Sequence, residues 1–356
     1  MKKIIHIVGT RPNYVKAAPV INALKEDIQT VVNTGQHYDK ILSSDIMKSL
    51  DMKEPDVNLS VPKGLNSFSR LSFLITSLAE LFASQRPEIV VVYGDVDSTL
   101  AASLAASRLN IPIAHVESGL RSFDNEMPEE VNRKIVDQIS SLHFVTEESG
   151  YRNLVREGHR GSILFVGNSM IDSLVSIRNS ESFKKSSAVN MCDILLTCHR
   201  PSNVDNKESL NNILNMCKDL EQTISWPIHP RTINNINKFG LLEEFKSLSN
   251  LKILSPLNYC DFIKMMSTSK AVITDSGGIQ EETTFLNIPC LTVRKNTERP
   301  STIESGSNVL VDFREAKGQI RKIERNEYKN SQIPTLWDGN AGPRIAKHIL
   351  KFLKEL

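Results

Sequence analysis

The stretch Ala271-Val272-Ile273-Thr274-Asp275-Ser276-Gly277-Gly278-Ile279-Gln280-Glu281-Glu282 reads as a short buried strand, a glycine-bearing turn and the first turn of a helix. That order aims several backbone N–H groups at one point and suits a phosphate. Glu281 and Glu282 come at once after the turn and would repel a bare anion unless one of them faces a neutral hydroxyl. A ribose supplies such a hydroxyl, so the segment points to a nucleoside diphosphate rather than inorganic phosphate. The alternative is a tight strand-to-helix turn with solvated acids.

The same alternation runs outward in both directions. Short apolar runs fall at Ile4–Gly9, Thr30–Asn33, Ile89–Tyr93, Ile113–Val116, Leu142–Val145 and Ile163–Val166, and again at Asp193–Cys198, Trp226–His229, Leu251–Leu254, Ala271–Thr274, Cys290–Val293 and Asn308–Val311. Continuous apolarity with amphipathic stretches between is what a parallel sheet covered on both faces requires. At 356 residues the chain exceeds the roughly 250–300 beyond which one core splits. Two doubly wound, Rossmann-type α/β domains are therefore expected, facing across a cleft. We expect residues 1–168 with a terminal helix inside 340–356 to form one domain, and 169–339 the other. The polar stretch Ile177–Met191 is the linker candidate. The terminal helix, from about Pro343, shows Ile345, Ile349, Leu350 and Leu353 on one face.

Composition narrows the function. With 43 Lys and Arg against 41 Asp and Glu, a net charge of +2 gives no electrostatic reason for a nucleic-acid or membrane partner. The apolar run after Lys2-Lys3 is too short for a signal-peptide core, so a cytoplasmic location is expected. Five cysteines, Cys192, Cys198, Cys217, Cys260 and Cys290, lack metal-ligand spacing and are expected to be reduced and buried.

In open α/β sheets ligands bind outside the carboxyl ends of strands, and the unusual residues fall there. Gly9-Thr10-Arg11-Pro12-Asn13 leaves the first strand without a dinucleotide fingerprint; Arg11 offers a planar fork for phosphate, and Lys16 comes about a turn later. Asp95 stands at the next exit after Gly94, whereas Asp97, with Ser98 and Thr99, reads as a helix cap. Glu117 emerges from a buried strand, either paired with an arginine such as Arg121 or working as an acid or base. Glu129 opens a helix and forms either a surface pair with Arg133 or a third carboxylate converging on Asp95 and Glu117. In the second half His199 and Arg200, His229 and Arg231, and Arg299 all leave strands of one sheet, a pattern suited to an anion.

With these segments placed, the chain resembles the non-hydrolysing UDP-N-acetylglucosamine 2-epimerases, whose fold is that of the two-domain GT-B glycosyltransferases. The likeness runs through Gly9-Thr10-Arg11-Pro12, Lys16, Gly35-Gln36-His37, Gly94-Asp95, His115 to Arg121, Pro128-Glu129-Glu130, Asn132-Arg133, Gly167-Asn168, His199-Arg200, Thr274 to Glu282 and Thr297 to Pro300. It implies C2 epimerisation of a UDP-sugar by anti elimination of UDP to a 2-acetamidoglucal and re-addition, with no cofactor or metal, in a homodimer. It implies acid and base roles for Asp95, Glu117, Glu129 and His199. Arg11 and Ser276 match diphosphate contacts, with Gly277 and Gly278 in the same turn. Glu282 matches the ribose contact and Phe262 the uracil contact. Arg299, Lys16, Arg133 and His229 complete the substrate-binding set, and Gln36 and His37 mark a regulatory second site. Asn13, Pro201-Ser202 and Ser301 depart from the family pattern, which leaves the exact UDP-2-acetamido sugar open. The competing expectations are a GT-B glycosyltransferase and a noncatalytic nucleotide-sugar binding protein.

Overall fold

A computed structural model describes residues 3–35, 46–62, 64–159, 161–185 and 192–356. Backbone contacts divide the chain into two units, one of Met1–Ile177 with Thr335–Leu356, the other of Arg178–Pro334. The first division falls beyond the expected 168/169 because the helix Ser169–Asn179 packs with the first unit, where Ser173 Oγ donates to Val15 O at 2.6 Å. On the other side, Trp337 Nε1 donates to Thr146 O at 2.9 Å, so residues 335–339 also join unit 1. Of the expected linker, residues 186–191 lie outside the described residues, and Glu181–Lys185 is a short helix.

Unit 1 holds a seven-stranded sheet: β1 (Ile4–Val8), β2 (Gln29–Asn33), β3 (Val57–Asn58), β4 (Ile89–Tyr93), β5 (Ile113–Ser118), β6 (Leu142–Val145) and β7 (Ser162–Phe165). Their order is β3-β2-β1-β4-β5-β6-β7, and every pairing is parallel. β3 is an addition to the expected strands; two residues, one half-buried and one exposed, carry too little periodicity to show in sequence.

Unit 2 holds β8 (Ile194–Thr197), β9 (Ile224–Pro227), β10 (Leu251–Leu254), β11 (Ala271–Thr274), β12 (Cys290–Thr292) and β13 (Asn308–Leu310), ordered β10-β9-β8-β11-β12-β13 and again parallel. β9 starts two residues before the expected Trp226 because Ile224 pairs with Ile194 and its N–H bonds Asn250 O.

Packing obeys the sequence pattern. On the helix Ser67–Gln85, Leu74, Leu78 and Phe82 recur four apart and are fully buried against Val90, Val92 and the alanines of the helix Asp97–Arg108. Each such side chain contributes roughly 1.5–3 kcal/mol. In unit 2, Trp226 meets Phe245 edge to face at 5.6 Å inside the core. The terminal helix spans Ala341–Glu355 and buries Ile345, Ala346 and Ile349; Leu350 is partly exposed instead of joining that face. Its Gly342 lies so close to Pro19 that a Cβ there would stand 2.5 Å from the Pro19 backbone.

Both sheets reverse winding at one place, between β1 and β4 and between β8 and β11. Crevices for ligands open at such switch points, outside the carboxyl ends of the strands.

Candidate active site

At the unit 1 switch point, Gly9-Thr10 follows β1 and the helix Arg11–Asn22 begins, with Pro12 in its first turn. Asn13, a departure from the family pattern, serves both sides of this turn. Its Oδ1 accepts from Gly9 N (3.3 Å), Thr10 N (3.2 Å) and Thr10 Oγ1 (3.0 Å), and its Nδ2 donates to Tyr93 O at 2.8 Å. A carboxylate could accept those bonds but could not donate the last. Arg11, half-buried, opens the helix.

Lys16 projects from this helix toward β5, where its Nζ stands 2.7 Å from Glu117 Oε1; both side chains are buried. Gly94 leaves room for the pair. Its φ is +63°, and a Cβ there would lie 3.0 Å from Lys16 Nζ. Arg121 is not the partner of Glu117: it pairs with Asp137 and Glu157.

Asp95 pairs with Arg133, which also grips Glu130. Arg133 is thus buried and bound to Glu130 rather than forming a surface pair with Glu129. Glu130 accepts from Ser122 N (2.8 Å), Ser122 Oγ (3.0 Å) and Phe123 N (3.1 Å). Burial raises its pKa, but these donors and Arg133 outweigh that and lower it. Glu129, one residue earlier in the first turn of the helix Pro128–Ile139, is exposed. Asp97 does not cap its helix; Val96 occupies the cap and Asp97 the first turn.

At the unit 2 switch point, Asp275 comes directly after β11 and is fully buried. It accepts from His199 N (3.0 Å), Arg200 N (2.9 Å) and Asn203 Nδ2 (3.0 Å), and His199 Nδ1 lies 3.3 Å from its Oδ1. The His199 ring remains 43% exposed, open to a ligand while its root is fixed. The ring of His229 lies 5.8 Å away, and its Nδ1 accepts from Arg231 N at 3.1 Å. Arg231 is engaged by Asp205, with Nε 2.8 Å from Oδ1.

Ser276 occupies the N-cap position of the helix Gly277–Leu286 without a side-chain cap bond, and its N–H bonds Thr274 Oγ1 at 3.0 Å. The Arg299 guanidinium packs on Gly277, where a Cβ would lie 2.7 Å from Nη1, and pairs with Glu298 and with Glu281 at 2.9 Å. Glu281 therefore belongs to this buried network. Glu282 instead accepts from Tyr259 OH at 2.6 Å. Phe262 is half-buried on the helix Tyr259–Thr268. Gln36 and His37, the expected regulatory residues, lie outside the described residues.

Sequence reasoning passed over Asp137, Glu130, Asp275 and the stabilising use of Asn13. Asp275 carried a signal, since a carboxylate at a buried strand tip beside an anion turn needs a partner as much as Glu117 does. All five cysteines are buried and free. Among the described residues no cluster of His, Cys, Asp and Glu is arranged to hold a metal, and no helix is long and apolar enough to cross a membrane.

Comparison with known proteins identifies the family. A family model described as UDP-N-acetylglucosamine 2-epimerase matches residues 22–350. A UDP-N-acetylglucosamine 2-epimerase homolog of Methanococcus maripaludis is 40% identical, with 97% of this chain and 98% of that protein covered. A UDP-2,3-diacetamido-2,3-dideoxy-D-glucuronate 2-epimerase of Pseudomonas aeruginosa is 33% identical, with 98% and 99% covered. The crystal structure of Methanocaldococcus jannaschii UDP-GlcNAc 2-epimerase in complex with UDP-GlcNAc and UDP matches with a TM-score of 0.89 at 36% identity, covering 98% of this chain and 99% of that one.

Proposed function

The chain belongs to the UDP-N-acetylglucosamine 2-epimerase family, and from that membership we propose that it interconverts UDP-N-acetylglucosamine and UDP-N-acetylmannosamine without hydrolysis. The observation that carries the reading is the full-length match to an epimerase solved with UDP-GlcNAc and UDP. The residues gathered at the two switch points give it a chemistry.

In the forward direction a base takes the proton from C2 as the C1–O bond breaks. The electron pair of the C–H bond becomes the C1=C2 bond of a 2-acetamidoglucal, and the bonding pair of C1–O leaves with UDP. Re-addition returns the UDP oxygen to C1, and a proton is delivered to the opposite face of C2. Two-faced proton transfer needs more than one acid or base, and we assign it to Asp95, Glu117, Glu129 and His199. Arg11 and the Ser276-Gly277-Gly278 turn take the diphosphate and stabilise the charge that builds as it departs. Glu282 receives the ribose hydroxyls, Phe262 the uracil, and Lys16, Arg133, His229 and Arg299 support the bound substrate.

The Pseudomonas aeruginosa relative favours a second reading within this class, in which the hexose carries a further acetamido group and a carboxylate. The reading also carries a homodimer and a cytoplasmic setting, consistent with five buried free thiols. Incubation with a panel of UDP-2-acetamido sugars in deuterated water tests it. The expected result is a C2-epimer mixture with deuterium at C2. Sugar transfer to an acceptor, or tight binding with no C2 exchange, would overturn it. Sedimentation gives the subunit count.

A further inference from the structure

Glu117 is held in a conformation that an L-residue rarely adopts. Its φ is +74°, and it is the extra residue of a bulge, since Val116 pairs with Phe144 and Ser118 with Val145. Bulges of this kind re-aim a side chain, and left-handed backbone at a non-glycine persists only where the surroundings impose it.

One buried carboxylate brackets this residue. Asp137, fully buried on the helix Pro128–Ile139, reaches both flanks: its Oδ1 lies 2.7 Å from His115 Nδ1, two residues before Glu117, and its Oδ2 accepts from Gly119 N at 3.0 Å, two residues after. Arg121 Nη1 adds a third bond to Asp137, reaching Oδ2 at 2.7 Å. His115 Nε2 lies 2.8 Å from Gly94 O. The Gly94 carbonyl can only accept, so Nε2 of His115 is the donor in that bond, and Nδ1 faces the Asp137 carboxylate. The chain from Asp137 through His115 thus ends on the carbonyl of Gly94, the residue that makes room for Lys16 and Glu117 and precedes Asp95. Gly119 closes the bracket: its φ is +82°, and a Cβ there would lie 2.3 Å from Gly150 O.

We propose that Asp137, acting through His115 and the Gly119 amide, is a positioning residue that holds Glu117 and the Gly94-Asp95 turn in the geometry proton transfer needs. The inference rests on the epimerase reading. Wild-type protein is therefore tested first for deuterium uptake at C2; none would sink that reading itself, whereas uptake leaves the present inference to the variants.

Asp137→Asn keeps the shape but removes the charge that binds His115 and Arg121. It is expected to lower kcat by about 10²-fold with UDP affinity unchanged. It should also raise the isotope effect on kcat for substrate deuterated at C2, because proton transfer becomes the slow step. A merely structural role would lower the active fraction and leave the isotope effect as it was. In the Glu117→Gln background Asp137→Asn should add less than about threefold, since it acts through a group already removed. Should Asp137→Asn not fold, His115→Gln, which keeps a donor toward Gly94 O, is subject to the same measurements. Wild-type kcat in the variant, an unchanged isotope effect, or losses that multiply fully with Glu117→Gln would overturn the inference.

Discussion

The ammonium of Lys16 lies 2.7 Å from Oε1 of Glu117, although 101 residues separate them in the chain. The pair is buried at the carboxyl ends of β1 and β5, across the exit of β4. Taking two charges out of water is tolerated there because each compensates the other.

Removing one member should therefore be costly. Lys16→Met leaves the Glu117 carboxylate buried without its cation and is expected to lose about 3–5 kcal/mol of stability. Adding Glu117→Gln should recover part of the loss. Denaturant unfolding of the single and double variants checks this, and equal stability of Lys16→Met and wild type would contradict it.

The acid and base assignments predict a separation of turnover from nucleotide binding. Asp95→Asn and Glu117→Gln should each lower kcat by about 10²–10⁴, with UDP affinity nearly unchanged. Steady-state kinetics beside calorimetric titration of UDP distinguishes the cases. If UDP binding is lost instead, these residues are structural.

The turn after β11 has no room for a larger residue at Gly277. At Gly277 an added Cβ would meet Arg299 Nη1 at 2.7 Å and Glu298 Oε1 at 2.8 Å, so Gly277→Ala must displace a guanidinium held by two buried carboxylates. We expect UDP to bind about tenfold more weakly, or roughly 1.4 kcal/mol. Arg11→Ala should weaken UDP binding as well, and unaltered titration curves would refute both assignments.

Stability should depend on pH through Asp172. Burial pushes its carboxyl up to about 6, against the amides of Gly342 and Ala341, and Asp338 raises it further while Arg344 lowers it. The raised value means that the folded state favours the protonated acid. Its contribution is complete below the unfolded value near 4, falls as pH rises through about 6, and is level above that. Asp172→Asn should remove this fall and be the more stable protein at pH 7. Unfolding free energies of wild type and variant at pH 4, 5, 6 and 7 provide the check; parallel curves would rule it out.

The strand exits were legible in the sequence because their signal is local. A continuous apolar run ending in Gly-Asp, His-Arg or Asp-Ser-Gly-Gly marks a parallel strand and the turn at its carboxyl end, as in β4, β8 and β11. β3 was not legible, since two residues show no period. Nor was the choice between Glu129 and Glu130: both open the same helix, and only packing buries one against Arg133 and leaves the other exposed.

By itself, then, the order of residues determined the two parallel sheets, the glycine-bearing turn after β11 and the set of charged groups gathered at strand ends. Tertiary structure alone decided which of those groups meet: Lys16 rather than Arg121 for Glu117, Glu130 for Arg133, Asp275 for His199, and Asp137 for the two flanks of the bulge. The reason is physical. Apolar periodicity and turn chemistry act over a few neighbouring residues, whereas the partner of a buried charge depends on strand order, on one extra residue in a ladder and on the space a glycine leaves open.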